Sequence, residues 1–188
     1  MTPSLSISRL FLITTLGLAA CRATTEEIAP AWPPVVEARM GTMEICCCSE
    51  ELWFGSTPSA DDLELAQRRG FQRVIDLGCG AGADLAAVAV ELGMTWEVIP
   101  VLDGDRLHDA QVDHVLELLR ANSDARTLMV CDDGGASAAL FAIHRVVQAG
   151  MSLDEAIVEA RRSGLRSVPG AQDVRAQVDR LAVDRVAP

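Results

Sequence analysis

The chain has no lysine, and its sixteen basic residues, all arginine, face twenty-seven acids for a formal net charge of −11. An acidic protein of this kind is a poor candidate for nucleic acid or for anionic membrane surfaces. It also lacks a bilayer-spanning segment: its longest apolar run near the start, residues 10–20, falls well short of the roughly 20 residues a spanning helix needs. No G-x-S-x-G occurs, which removes the usual nucleophile elbow of a serine hydrolase. The three histidines, His108, His114 and His144, are dispersed, and no His–Cys cluster offers metal-ligand spacing. The sequence therefore points to no metal and no cofactor. His114 and His144 fall on helical patterns and read as surface or packing residues. What remains is 188 residues, 49% of them hydrophobic, enough for one domain with a real core.

The first twenty residues read as a processing signal. Arg9 supplies the positive region, LFLITTLGLAA the short apolar run, and the run closes in Leu18-Ala19-Ala20-Cys21. That ending resembles the bacterial lipobox, which implies cleavage before Cys21 and acylation of that cysteine. Removing the leader, whose only charge is Arg9, leaves a net charge of −12. Arg22 stands where an aspartate would signal inner-membrane retention, so in a Gram-negative cell the expected place is the periplasmic side of the outer membrane. Residues 21–42 carry three prolines without periodicity and read as a tether. The domain is expected over residues 43–188.

Along that domain, patterns of period two alternate with patterns of period 3.6. Residues 43–54 read as one or two short strands, with Cys46, Cys47 and Cys48 as small buried hydrophobes. Ser59 and Asp62 form a short-armed capping box for a helix that ends at Gly70. Strands are expected at 71–77, 95–101 and 127–130, and helices at 84–92, 109–121, from about Ser137 to Ala149, from Ser152 with Glu155 to Gly164, and through Val174, Val178 and Leu181. Strand–helix alternation implies a layered α/β fold with a mainly parallel central sheet flanked by helices.

One stretch concentrates the chemistry. TLMVCDDGGASAALFAIHR, residues 127–145, reads as a buried strand, a glycine-bearing loop opening at Cys131, and a helix. Unpaired N–H groups and the dipole at a helix start favour anions and a thiolate. Ligands of parallel sheets gather at the carboxyl ends of strands, where Cys131 falls. The candidate anion loop is Asp132, Asp133, Gly134, Gly135, Ala136 and Ser137. Cys79, expected at the same edge, could reach Cys131 as a disulfide in an exported protein.

Three resemblances compete for this pattern. VIDLGCGAG (74–82) looks like the glycine motif of S-adenosylmethionine methyltransferases, but the next strand lacks the acid that holds a ribose. VCDDGGASAA resembles the rhodanese sulfurtransferase loop, but the turn that precedes it there is missing. The third resemblance covers residues 43–168. LWFGSTPSADD, GFQRVIDL, LGMTWEVIPV and ALFAIHRVVQAGMSLDEAIVEARRSGL together resemble bacterial tyrosine and dual-specificity phosphatases, in particular the small domain named after beta-lactamase-hydrolase-like proteins.

That resemblance implies Cys131 as nucleophile and Asp103 or Asp105 as general acid. It equally implies an arginine at position 136 or 137, where Ala136 and Ser137 stand instead. Arg145 lies about two helical turns further on, roughly 12 Å along the axis, and cannot close the loop. Asp132 and Asp133 add negative charge beside the thiol, which disfavours both a thiolate and a phosphate dianion. The expectation is a pseudophosphatase, a lipid-anchored binding or scaffold module for a protein or small-molecule ligand the sequence does not name. The alternative is a working cysteine-dependent phosphatase or sulfurtransferase with an atypical loop.

Overall fold

The computed structural model describes residues 36–47, 52–78, 83–121, 125–132, 134–165 and 170–184. The leader with Cys21, and Cys48, Cys79 and Asp133, lie outside them, as do the side chains of Cys46 and Cys47.

The chain enters as β1 (Val36–Met40), turns into β2 (Met43–Cys47) and continues as β3 (Leu52–Gly55). Helix α1 (Ala60–Arg68), β4 (Arg73–Asp76), α2 (Ala83–Glu91) and β5 (Thr95–Val98) follow. A small hairpin of β6 (Leu102–Asp103) and β7 (Arg106–Leu107) leads to α3 (Asp109–Ala121) and β8 (Thr127–Val130). The helices α4 (Gly135–Ala149), α5 (Leu153–Arg162) and α6 (Ala171–Asp184) close the described chain. The main sheet runs β1-β2-β3-β8-β4-β5. Its four strands from β3 to β5 are parallel, and β1 and β2 extend it antiparallel. The α/β class with a mainly parallel central sheet is therefore as the sequence implied.

Two expectations about extent change. Residues 36–40, read as tether, pair with β2 as an edge strand. The strands expected at 71–77 and 95–101 are shorter, because Phe71, Leu77, Ile99 and Val101 are buried but lie outside the ladders. Burial of apolar side chains extends into the connections, whereas strand pairing stops earlier.

The sheet separates two cores. One face packs Val74, Leu128 and Val130 against α1 and α2; the other packs Phe54, Ile75, Met129 and Cys131 against the helices from α3 onward. Asp62 ties the hairpin between β1 and β2 to α1. Its carboxylate accepts from the N–H and hydroxyl of Thr42 (both 2.8 Å) and of Ser59 (2.9 and 2.7 Å), completing the capping box. Burial pushes this carboxyl up, but those donors outweigh it and hold it below the ordinary value. At α5, Ser152 accepts from the Glu155 N–H and its hydroxyl donates to the Glu155 carboxylate (2.6 Å). Among the described residues no helix is long and apolar enough to cross a membrane.

Helix α4 runs through the middle. Every residue from Gly135 to Arg145 is buried, including His144. Burial first, and the neighbouring Arg145 charge second, lower the His144 pKa from 6.5 to about 4. The folded protein therefore binds fewer protons here than the unfolded chain between those values. This contribution is complete above pH 6.5 and falls as pH drops toward 4, by roughly 3 kcal/mol. Urea unfolding of wild type and His144→Phe at a series of pH values should show a steeper acid-side loss in the wild type. Parallel curves would remove His144 as the cause.

Candidate functional site

Strand β8 carries the chain up between β3 and β4 and releases it at Cys131, at the carboxyl edge of the parallel strands. The Cys131 N–H donates to the Gly55 carbonyl (3.1 Å), and the Gly134 N–H donates back to the Cys131 carbonyl (3.2 Å). The loop is thus a tight turn. Gly134 adopts φ +76°, a left-handed conformation that a side chain would strain, and it opens α4 two residues earlier than the expected start at Ser137. Across from it, Gly164 lies close: a methyl group added there would sit 3.7 Å from the Gly134 carbonyl oxygen.

Cys131 is a thiol only 3% exposed and belongs to the apolar cluster of α3–α6. The expected disulfide to Cys79 falls on a residue outside the described ones. Asp132 is exposed on the turn, whereas Gly134, Gly135, Ala136 and Ser137 are buried. The decisive position is Ser137. Its side chain is fully buried, and its hydroxyl lies 2.9 Å from the Gly134 carbonyl and 3.3 Å from the Gly55 carbonyl. A hydroxyl has one proton to give, and both acceptors are protein carbonyls. Arg145 is fully buried lower on α4, where its Nε and a terminal nitrogen grip the Glu159 carboxylate, each at 2.9 Å. It has no route to the loop.

Asp103 and Asp105 are exposed on the β6–β7 hairpin, whose turn contains Gly104 at φ +60°. A recess of about 440 Å³ at this hairpin is lined by Asp103, Arg106, Leu107, His108, Asp109 and Ala110, and no described residue of the Cys131 loop is among them. His108 is therefore at this recess, and His114 pairs with Glu97 at 3.4 Å on the surface of α3. No group of three or more His, Cys, Asp or Glu among the described residues is arranged to hold a metal ion.

Asp76, which the sequence reading did not assign, ends β4 at the same edge, opposite Val130, and is 1% exposed. Its carboxylate accepts from the Gly78 N–H (3.0 Å). Burial raises its pKa, and the Gly78 N–H only partly offsets that. Gly78 sits at φ +75°, where a β-carbon would lie 2.6 Å from Pro100. The start of the VIDLGCGAG stretch is accordingly a packed turn closed by an aspartate. The Gly55 carbonyl and Gly164 were also missed; a glycine at the end of a strand beside the loop strand was the available signal.

Neither a scan of family models nor a search of curated proteins finds a match. Solved structures do match. TpbA from P. aeruginosa superposes with a TM-score of 0.68 at 25% identity, over 85% of this chain and 99% of its own. The domain is tyrosine-phosphatase-like. A phosphatase-family protein (DUF442) from Shewanella putrefaciens CN-32 is similar over 74% of this chain and 91% of its own, at TM-score 0.61 and 16% identity. Kinase associated phosphatase, in a form whose catalytic-site cysteine is replaced by serine, covers 70% of this chain and 87% of its own at TM-score 0.61 and 19% identity. Positions 136 and 137, the two at which the resemblance implies an arginine, both hold small, buried residues. Ser137→Arg should therefore not create an anion site; forcing a guanidinium into that space should cost at least 1–3 kcal/mol. Thermal melts with and without phosphate test this: a variant as stable as wild type, and stabilised further by phosphate, would contradict it.

Proposed function

We propose that this domain is a pseudophosphatase, a phosphatase-like fold that serves as a binding or scaffold module on the cell envelope, held there by a lipid on Cys21. The single observation that carries the loss of chemistry is Ser137, buried where the resemblance calls for arginine, with its hydroxyl directed at two main-chain carbonyls. Phosphoryl transfer through a cysteine needs a thiolate, donors for the equatorial oxygens and an acid for the leaving group. An arginine on a transferring phosphoryl group is worth roughly 10³–10⁵ in rate. The buried, apolar setting of Cys131 opposes ionisation of its thiol, and Asp132 places a carboxylate beside it. The start of α4 keeps its helix dipole, so weak affinity for small anions is compatible with this reading.

The second reading, a working cysteine phosphatase, draws on TpbA, which has also been crystallised as a Cys→Ser form in complex with phosphotyrosine. Asp103 or Asp105 would then be the acid.

Purified protein should hydrolyse para-nitrophenyl phosphate no faster than its Cys131→Ser variant. Turnover present in wild type and abolished in that variant would falsify the pseudophosphatase reading. The anchor is tested separately: a palmitate analogue should label wild type and not Cys21→Ser, and equal labelling would reduce the leader to a simple secretion signal.

A further inference from the structure

We propose that β1 is an edge at which this chain recognises a second copy of itself. The two β1 strands pair antiparallel about a two-fold axis at Ala38, with Glu37 of each copy opposite Arg39 of the other. The proposal goes beyond the binding-module reading and does not rest on it. It stands on the register of the sheet and on the order of charges along one strand.

The six-stranded sheet ends in β1 on one side and in β5 on the other, and among the described residues β1 pairs with β2 alone. A strand at a sheet edge presents a row of main-chain groups that a further strand can take up. Which residues of β1 present them follows from β2. The Ser56 N–H donates to the Glu44 carbonyl (3.2 Å), so Glu44 turns its main chain toward β3. Its partner across the hairpin is Arg39. Main-chain groups alternate sides along a strand, so Val36, Ala38 and Met40 bond to β2, while Glu37 and Arg39 direct their N–H and C=O groups to the open edge. The register runs unbroken from Val36 opposite Cys47 to Met40 opposite Met43, so no bulge bends this edge away, and the strand contains no proline.

Two outward residues of opposite charge make the edge self-complementary. An antiparallel second copy must set outward residues against outward residues, and the registers differ in charge. Glu37 on Glu37, or Arg39 on Arg39, opposes like charges at the axis, which is destabilising. Glu37 on Arg39 brings opposite charges together twice by symmetry, and it satisfies the outward main-chain groups of both residues on both chains. Ala38 then meets its own copy on the axis, at the closer spacing of a non-hydrogen-bonded pair. The Arg39 side chain is 78% exposed and lies 3.7 Å from Glu44, itself 80% exposed, so the guanidinium already stands on the outside of the sheet beside an acid. Glu37 of the second copy extends that row to acid, arginine, acid.

The other edge does not have this property. The Thr95 and Ile99 N–H groups donate to the Gln72 and Asp76 carbonyls, so Trp96 and Val98 face outward. Pairing both with a second copy would set Glu97 against Glu97, and Pro100 stands two residues past the strand. A contact confined to one short strand belongs to the weak, transient class of interface. On the anchored reading, confinement by the lipid at Cys21 would raise its effective concentration.

The test uses the chain from Arg22 onward, in reductant so that no cysteine couples the copies. Physiological ionic strength screens the self-repulsion of an acidic chain beyond about 8 Å. Sedimentation velocity over a concentration series up to about 1 mM should show a monomer–dimer equilibrium. Glu37→Arg and Arg39→Glu each set like charges opposite at both symmetric positions, and each should weaken the dimer at least about tenfold. An equal mixture of those two variants is complementary, with arginines on one strand facing acids on the other. Association in the mixture should return to within about threefold of wild type, which also shows that both variants fold. A wild type that is monomeric throughout, a dimer indifferent to the single reversals, or folded variants whose mixture stays monomeric would overturn the proposal. Each of these outcomes leaves the para-nitrophenyl phosphate assay, and with it the reading of the Cys131 loop, untouched.

Discussion

The burial of α4 from Gly135 to Arg145 is the constraint on which the rest of the molecule depends. A helix can lie in the middle of a small domain only if its neighbours approach on all sides. The run of Gly135, Ala136, Ser137, Ala138 and Ala139 permits that approach. Further along, the burial includes a guanidinium, which costs several kcal/mol unless its partners are well placed. Here Glu159 of α5 meets Arg145 through two bonds, and the Phe141 ring lies 5.1 Å beneath the guanidinium. Phe141 in turn stacks on Phe54 at 4.6 Å, which fastens α4 to β3. Helix, sheet and the α5 layer are thus locked in one arrangement, and the loop at the start of α4 inherits that rigidity.

The loop at Cys131 is closed by the protein's own groups. Cys131 and Gly134 direct their N–H groups at protein carbonyls, and the Ser137 hydroxyl lies between the Gly134 and Gly55 carbonyls. Gly55 accepts from both Cys131 and Ser137, so the end of β3 closes the space that a larger, charged side chain would need. Each of these contacts stabilises the closed turn. The same contacts explain why Arg145 offers no substitute: its charge is already neutralised inside the α4–α5 contact.

Much of this was legible in the sequence. Cys131 fell on its strand-to-helix loop because a four-residue apolar strand is followed by glycines and then a helical pattern. The caps at Ser59 and Ser152 and the helix ends at Gly70, Gly93, Gly150 and Gly164 follow from local chemistry that tertiary structure did not override. The strand ends were less legible. Phe71, Leu77, Ile99 and Val101 extend the apolar pattern because they are buried, yet past the ladders Leu77, Ile99 and Val101 make only isolated backbone bonds. β1 was hidden because an edge strand has one neighbour and little pattern, and its sequence follows closely on two prolines. The engagement of Ser137 with Gly55, 82 residues away, is a long-range contact that no local pattern encodes.

Charge placement follows from the same topology. In each parallel unit a helix begins at the carboxyl edge and ends at the amino edge, and helix dipoles favour acids at the first end and arginines at the second. Asp61, Asp84 and Asp109 against Arg68 and Arg120 obey that rule. In an active phosphatase an arginine must override this acidic edge to draw in a dianion. On the proposed pseudophosphatase reading, the edge that carries Cys131 disfavours phosphate by the same arrangement that stabilises its helices. Fold stability and phosphate binding thus pull in opposite directions at this edge, and among the described residues of the Cys131 loop no cationic side chain opposes the first.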